Sequence, residues 1–334
     1  VHDVAAAAGI SHATVSRYLN KRAYVSAAAA AAIETAIREV DYIPNRAARS
    51  LVRRRTHAVA FIVRAAGDSF FSDPTLNAMA MGANTVLSVA DHQMLMMIVD
   101  SDRSADRIIE IVRGGTADGA ILAAMDHHDP VAVALARTAF PIVTTSDPGI
   151  GAAVPRVDTD NVGGTRAITE LLRATGRTRV GEVRGPDAAP VSGLRHRGFK
   201  AAMAGEYSAR RVVAAGSWHT EDGAAAMDEL LRRDPRIDAV VAASDSLAVG
   251  AMEALRRAGR LIPDDVAVVG FDDAPWASQT SPPLTTVRQD AHATGARSAE
   301  LVLRMAEGED LSGHSEVLAS RVVWRDSAGP APSM

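Results

Sequence analysis

Gly9-Ile10-Ser11-His12-Ala13-Thr14-Val15-Ser16-Arg17-Tyr18-Leu19-Asn20 is the stretch on which the organisation of this chain turns. Gly9 interrupts a short helical run, Asp3–Ala8, and Ser11 stands where a side-chain oxygen caps the next one, Ser11–Leu19. Two short helices joined at a glycine turn have the grammar of a helix-turn-helix. Val4, Ala8, Ile10, Val15 and Leu19 are spaced to close a small core. That leaves His12, Ala13, Ser16 and Arg17 outward near the start of the second helix, where base edges are read. Arg17 carries a fork suited to guanine, whereas Ala13 offers only apolar contact, as with a thymine methyl. The two-helix pattern alone fits any small helical hairpin with a solvated polar face.

Working outward, Asn20-Lys21 breaks the second helix and a third is expected over Ala27–Val40. It opens with six consecutive alanines, the strongest helix formers, and its apolar face continues through Ile33, Ile37 and Val40. Pro44–Leu51 follows, with proline suited to a first helical turn, and then Arg53-Arg54-Arg55. Residues 1–57 hold nine lysines and arginines against four aspartates and glutamates, whereas the remainder is net acidic within a chain of net charge −4. A basic head on an acidic body points to a polyanion as the partner of the head, unless the basic residues cluster by chance.

From Ala58 the pattern becomes short apolar runs alternating with longer amphipathic ones. Strands are expected at Ala58–Val63, Met94–Val99, Gly119–Ala123, Pro141–Thr144, Arg179–Val183, Ala239–Ala243 and Val266–Gly270. Helices are expected at Leu76–Ala90, Ala105–Arg113, Asn161–Thr175, Ser192–Ala204, Thr220–Arg233 and Leu247–Ala258. This alternation implies an α/β fold with parallel sheets covered by helices and ligands at the carboxyl ends of the strands. There are too many strands for one compact sheet. A polar break near Val157–Asn161 divides them into two lobes, and the cleft between lobes is the expected binding site. The polar, proline-bearing tail Ser327–Met334 is expected to be disordered.

The totals bound the rest. The chain has 334 residues, 47% of them hydrophobic, and no apolar run long enough for a membrane span is apparent. No secretory signal leads the sequence, so a cytoplasmic location is expected. With no cysteine there is no disulfide, thiolate metal site or cysteine nucleophile. No G-x-G-x-x-G, Walker A loop, G-x-S-x-G or H-E-x-x-H occurs, so neither catalysis nor a cofactor is expected. His127-His128-Asp129 before Pro130 reads as a loop rather than a metal site.

A resemblance sharpens the reading. Asp3-Val4-Ala5, Gly9-Ile10-Ser11, Thr14-Val15-Ser16-Arg17, Leu19-Asn20, Tyr42-Ile43-Pro44-Asn45 and Ala48-Arg49-Ser50-Leu51, in that order, resemble the head and hinge of the LacI/GalR family. Residues 58–326 resemble its two-lobed, type I periplasmic-binding-protein-like body. The carrying segments are Phe70-Phe71, Val157–Asn161, Arg195–Phe199, Ser244–Ala248, Val269–Asp273 and Pro282–Val287. The resemblance implies a head at 1–43, a hinge and linker at 44–57 and a body whose chain crosses between lobes near Thr159, Val287 and Ser320. It implies DNA contacts from Ser11, His12, Ala13, Thr14, Ser16, Arg17, Asn20, Asn45, Ala48, Arg49 and Leu51. The resemblance makes Leu51 the wedge expected to enter the minor groove at the centre of a two-fold operator, the alternative being that it packs on the body.

For the body the resemblance implies effector contacts from Arg195 and Asp272 first. Asp147, Trp218 and Phe71 follow, with Phe70 and Phe271 either lining the cleft or packing. Ser244 stands where many sugar-binding relatives carry Asn. The implied function is a transcriptional regulator, a repressor, whose affinity for double-stranded operator DNA is set by a small ligand, a sugar. Two half-sites require a homodimer, expected to meet through helices such as Leu76–Ala90, and the chain end shows no heptad extension for a tetramer. The alternative is a solute-binding sensor without DNA activity, which accounts for the body but not for the basic head.

Overall fold

The computed structural model describes residues 1–19, 24–42, 55–65 and 69–332. The chain divides into two compact units, Val1–Thr56 and His57–Met334. In the first, α1 (His2–Ala8) ends at Gly9, whose φ of 61° is open to glycine at little cost. The turn is closed by the Ile10 amide donating to the Ala5 carbonyl at 3.1 Å. Ser11 then caps α2 (His12–Leu19), its hydroxyl accepting from the Thr14 amide at 3.2 Å. Ser26 does the same for α3 (Ala27–Glu39) through the Ala29 amide. Val4, Val15, Ile33 and Ala36 are buried at the centre, with Ala8, Ile10, Tyr18, Leu19, Ile37 and Tyr42 around them. The Tyr18 hydroxyl donates to Glu34 at 2.5 Å and ties α2 to α3.

The second unit is two α/β/α lobes. Strand β1 (Ala58–Arg64) is buried on both faces, as the middle of a parallel sheet requires. It is joined by β2 (Gln93–Val99), β3 (Gly119–Ala123), β4 (Ile142–Thr144), β5 (Arg156–Thr159) and, from far along the chain, β11 (Ser315–Leu318). Their order is β11-β5-β4-β3-β1-β2, all parallel. One face is covered by α4 (Pro74–Val89) and α11 (Ala291–Ala306), the other by α5 (Asp102–Arg113) and α6 (Pro130–Ala136).

The other lobe holds β6 (Val180–Arg184), β7 (Val212–Ala214), β8 (Ala239–Ala242) and β9 (Ala267–Val269), parallel in the order β7-β6-β8-β9. Helices α7 (Asn161–Ala174) and α8 (Pro190–Met203) cover one face. The other is covered by α9 (Thr220–Arg233) and α10 (Asp245–Arg257). Each lobe presents a helix pair packed backbone to backbone. A Cβ on Gly250 would stand 1.9 Å from the Thr220 carbonyl oxygen, and one on Gly295 equally close to that of Met79. No side chain fits in either place.

Three segments carry the chain between lobes: β5 into α7, β10 (Thr286–Arg288) into α11, and β11 into β12 (Arg321–Val323), with β10 and β12 antiparallel partners. They are bonded to one another. Asp160 donates its amide to Leu318 at 2.9 Å, Ser320 its hydroxyl to the Asp160 carbonyl at 3.0 Å, and Thr159 its hydroxyl to Gln289 at 3.0 Å.

Disorder expected from Ser327 onward begins too early. Ser327 and Ala328 are buried, and the Ser327 hydroxyl accepts from the Thr285 amide at 2.8 Å while donating to Val268 at 2.6 Å. Its polarity, read as solvation, satisfies buried backbone instead. Asp129 caps α6 and holds Arg64, a structural duty within the loop that carries the two histidines. Among the described residues no group of side chains is placed to hold a metal, and no helix is long and apolar enough to cross a membrane.

Candidate functional site: a DNA-reading face and an effector cleft

On α2 the inward residue is Val15, so Ser11, His12, Ala13 and Arg17 are exposed while Thr14 and Ser16 are half-buried. The Arg17 guanidinium lies back along its own helix, donating to the Ala13 carbonyl at 3.3 Å and to the Thr14 hydroxyl at 3.1 Å. These are neutral acceptors, so its positive charge stays available to a nucleic acid. His12 stacks on His2 with ring centroids 4.5 Å apart, which extends the reading face onto the start of α1. Asn20, Asn45, Ala48, Arg49 and Leu51 lie outside the described residues.

In the body, Arg195 on α8 and Asp272 after β9 come together with Phe271 and Trp218 at the carboxyl ends of the strands. The Arg195 side chain is 7% exposed and its Nη2 faces Asp272 at 3.5 Å. Its carbon Cζ lies 3.7 Å from the centre of the Phe271 ring and 5.9 Å from that of Trp218. Nε donates to Asn161 at 2.9 Å and Nη1 to the carbonyl of Ala243, beside Ser244. Burial pulls its pKa down, opposed by the charges of Asp272, Asp158, Asp245 and Asp73. The neighbouring His196 meets the buried Glu182 of β6 at 2.6 Å and so holds the register of α8.

Asp272 and Asp273 both take positive φ, 122° and 57°, conformations that side chains rarely adopt and that cluster at functional sites. The turn is held from beneath by the buried Asp245, which accepts from the Ala274 amide at 2.7 Å and the Thr286 hydroxyl at 2.5 Å. Asp273 is taken up by Arg288 and Arg325, which leaves Asp272 as the carboxylate presented to the cleft. Burial raises Asp272 to about 7, against the pull of Arg195, and raises Asp245 well above the carboxylate range. Asp158 is raised to about 6 for the same reason.

Ser244 is buried and spends its hydroxyl capping α10 through the Leu247 amide at 3.2 Å. Trp218 is half-buried and lies on Gly185, where a Cβ would meet its ring. Phe70 packs into the core of the first lobe, whereas Phe71 is 71% exposed. Asp147 pairs with Arg156 at 2.9 Å and contributes to raising Asp158.

Five residues not anticipated complete the cluster: Asp73, Asp158, Asn161, Asp245 and Gln289. Asp73 caps α4 through Thr75 and Leu76 and, from the first lobe, feels the charge of Arg195 in the second. Asn161 and Gln289 are two-sided. The Asn161 amide accepts from Arg195 and donates to Asp158 and Thr159. The Gln289 amide accepts from Thr159 and donates to Asp272 at 2.6 Å. Arg195 and Asp272 are therefore each one hydrogen bond from the segments that join the lobes.

Comparison with known proteins agrees with this architecture. Residues 1–45 match the model of bacterial regulatory proteins of the lacI family, and residues 169–328 match a periplasmic binding protein-like domain. The HTH-type transcriptional regulator CelR of Thermobifida fusca is 36% identical over 328 residues, covering 97% of this chain and 96% of the relative. The ribose operon repressor of Escherichia coli K12 is 31% identical over 308 residues, 90% of this chain and 91% of that one. A solved complex of the regulator CelR with cellobiose superposes with a TM-score of 0.79 at 34% identity, covering 97% of this chain and 98% of that one. The lac repressor dimer bound to operator and the anti-inducer ONPF shares the fold, at a TM-score of 0.85, 24% identity and 98% coverage of each chain. This chain belongs to the LacI family of bacterial regulatory proteins and is a DNA-binding transcriptional regulator.

Proposed function

We propose that the protein is a cytoplasmic, homodimeric repressor whose grip on a two-fold operator is set by an uncharged sugar bound between the lobes, without turnover of that sugar. The observation that carries the ligand class is Arg195, sandwiched by charge and ring between Asp272 and Phe271. Guanidinium and carboxylate side by side pair with vicinal hydroxyls, and the nearby aromatic faces suit the C–H surface of a sugar ring. Asp73, Asp158 and Asp245 also act on this guanidinium, so its charge is shared among side chains of the protein rather than free to meet an anionic ligand. The complex of CelR with cellobiose makes cellobiose the first sugar to try.

In this reading His12, Ala13 and Arg17 meet base edges, and Ser11, Thr14, Ser16 and Asn20 position the helix on phosphates. Asn45, Ala48, Arg49 and Leu51 act at the operator centre. Arg195, Asp272, Trp218 and Phe271 hold the sugar, with Phe71, Asp147 and Ser244 at its margin. The test is selection of operators from a random duplex pool, followed by fluorescence anisotropy with and without cellobiose and other neutral sugars. A ligand coupled to DNA changes operator affinity by about 5–150-fold, and Arg195→Ala abolishes that response while leaving sugar-free operator binding intact. If no duplex is enriched, the sensor reading replaces this one.

A further inference from the structure

We propose that the end of the second lobe remote from the cleft carries a binding site for a compact polyphosphate anion. The loops entering β6, β7 and β8 lie at the amino ends of these parallel strands, opposite the ends that face Arg195 and Asp272. Arg179, Ser208, Arg210, Arg211, Arg233, Asp234 and Arg236 converge there around a depression of about 260 Å³. Five arginines thus line one cavity with a single aspartate. Like charges so gathered repel one another unless an anion lies between them.

The way the arginines are held keeps their charge in place without cancelling it. Arg210 donates to the Arg233 carbonyl at 2.7 Å, and Arg211 to the carbonyls of Glu206 at 2.7 Å and Thr178 at 3.3 Å. Backbone carbonyls fix a guanidinium but leave its unit charge uncompensated. The side chain of Arg236 makes no hydrogen bond among the described residues, and its charge is felt by Asp234, which Arg179 already holds. Only Arg179, on Asp234, and Arg233, on Glu229 at 2.7 Å, have carboxylate partners. Asp238 lies close by and keeps its charge, held by the amides of Thr178 and Arg179 at 3.0 Å each, so the five arginines still outnumber the acids Asp234, Glu229 and Asp238. The Nε of Arg179 is buried without a hydrogen-bond partner. Planar forks in a polar hollow match phosphate oxygens, and several forks around one small volume match linked phosphates better than a single one.

Isothermal titration of the full chain with inorganic pyrophosphate tests this, with sodium sulfate at equal ionic strength as the control. One pyrophosphate per chain is expected to bind, and sulfate at least about tenfold more weakly. Binding is expected to weaken at least about tenfold in R210Q/R211Q, and about threefold or more in Arg236→Gln. That second variant removes no anchoring contact, so its melting point should match the wild type and its result stands even if the double variant is unstable. Binding that survives both variants belongs to the basic head and overturns the proposal, as does an absence of pyrophosphate binding or an equal response to sulfate. Operator and sugar binding are unchanged in these variants whether or not the effector reading holds.

Discussion

Replacing Asp272 with Asn should make the protein more stable and less able to bind sugar. Burial raises the Asp272 carboxyl to about 7, whereas an aspartate in an unfolded chain titrates near about 4. Between those values the folded protein keeps a proton that the unfolded chain has lost. The stability associated with this group is therefore full below about pH 4, falls as the pH rises to about 7, and then levels. At about 1.4 kcal/mol per unit, the ionised carboxylate costs the folded state about 4 kcal/mol at pH 8. Asn has the same shape, tolerates the positive φ and cannot ionise. Asp272→Asn should gain about 2–4 kcal/mol at pH 8, with the gain shrinking to about 1–2 kcal/mol at pH 5. Thermal denaturation at the two pH values reads this as a rise of roughly 2–4 °C per kcal/mol. Calorimetric titration on the same samples should show sugar affinity reduced. A variant that melts below the wild type at pH 8, or by the same margin at both pH values, would refute the argument.

Gly250→Ala drives a methyl into the Thr220 carbonyl and should destabilise the second lobe by about 1–3 kcal/mol, seen as a lower calorimetric midpoint. Ile33→Ala removes the largest buried side chain of the head, at about 2–5 kcal/mol, and should abolish operator binding in anisotropy while sugar binding persists. Arg17→Ala should weaken the selected operator by about 1–3 kcal/mol and relax preference at one base position, read by repeating the duplex selection. Gln289→Leu cuts the bond between Asp272 and Thr159. Sugar should still bind, but its effect on operator affinity should fall toward none, measured by anisotropy with saturating sugar.

The head was legible because its determinants are local: the glycine turn, the serine cap and the spacing of Val4 and Val15 all lie within sixteen residues. The major strands of the body were legible for a similar reason, being continuous apolar runs such as Ala58–Arg64. Strands β5 and β7, only four and three residues long, were not, and neither were the crossover strands β10 to β12. Each crossover strand has only three or four residues of mixed polarity, and each finds partners across dozens of positions, so no period marks them. Helices α6 and α11 were not legible either: α6 has only seven residues, and Gly295 and scattered polar residues dilute the apolar stripe of α11. Arg195 and Asp272 were reached through family motifs, but Asp73 was not. Its place before Pro74 signals a helix cap, and only the approach of the lobes brings it near Arg195. Phe70 illustrates the opposite limit, since an aromatic beside a cleft motif looks the same in sequence whether it faces ligand or core.

The glycine contacts between paired helices bear on how this body can evolve. With Gly250 against Thr220 and Gly295 against Met79, the backbones meet with no side chain between them. There is no residue slightly larger than glycine with which to loosen such a joint by degrees; the next step up is already a collision. Stiffness within each lobe is thus all-or-none under mutation. Gradual adjustment of the switch, from tight to leaky, falls instead to the few positions in the connecting segments, where substitution is graded.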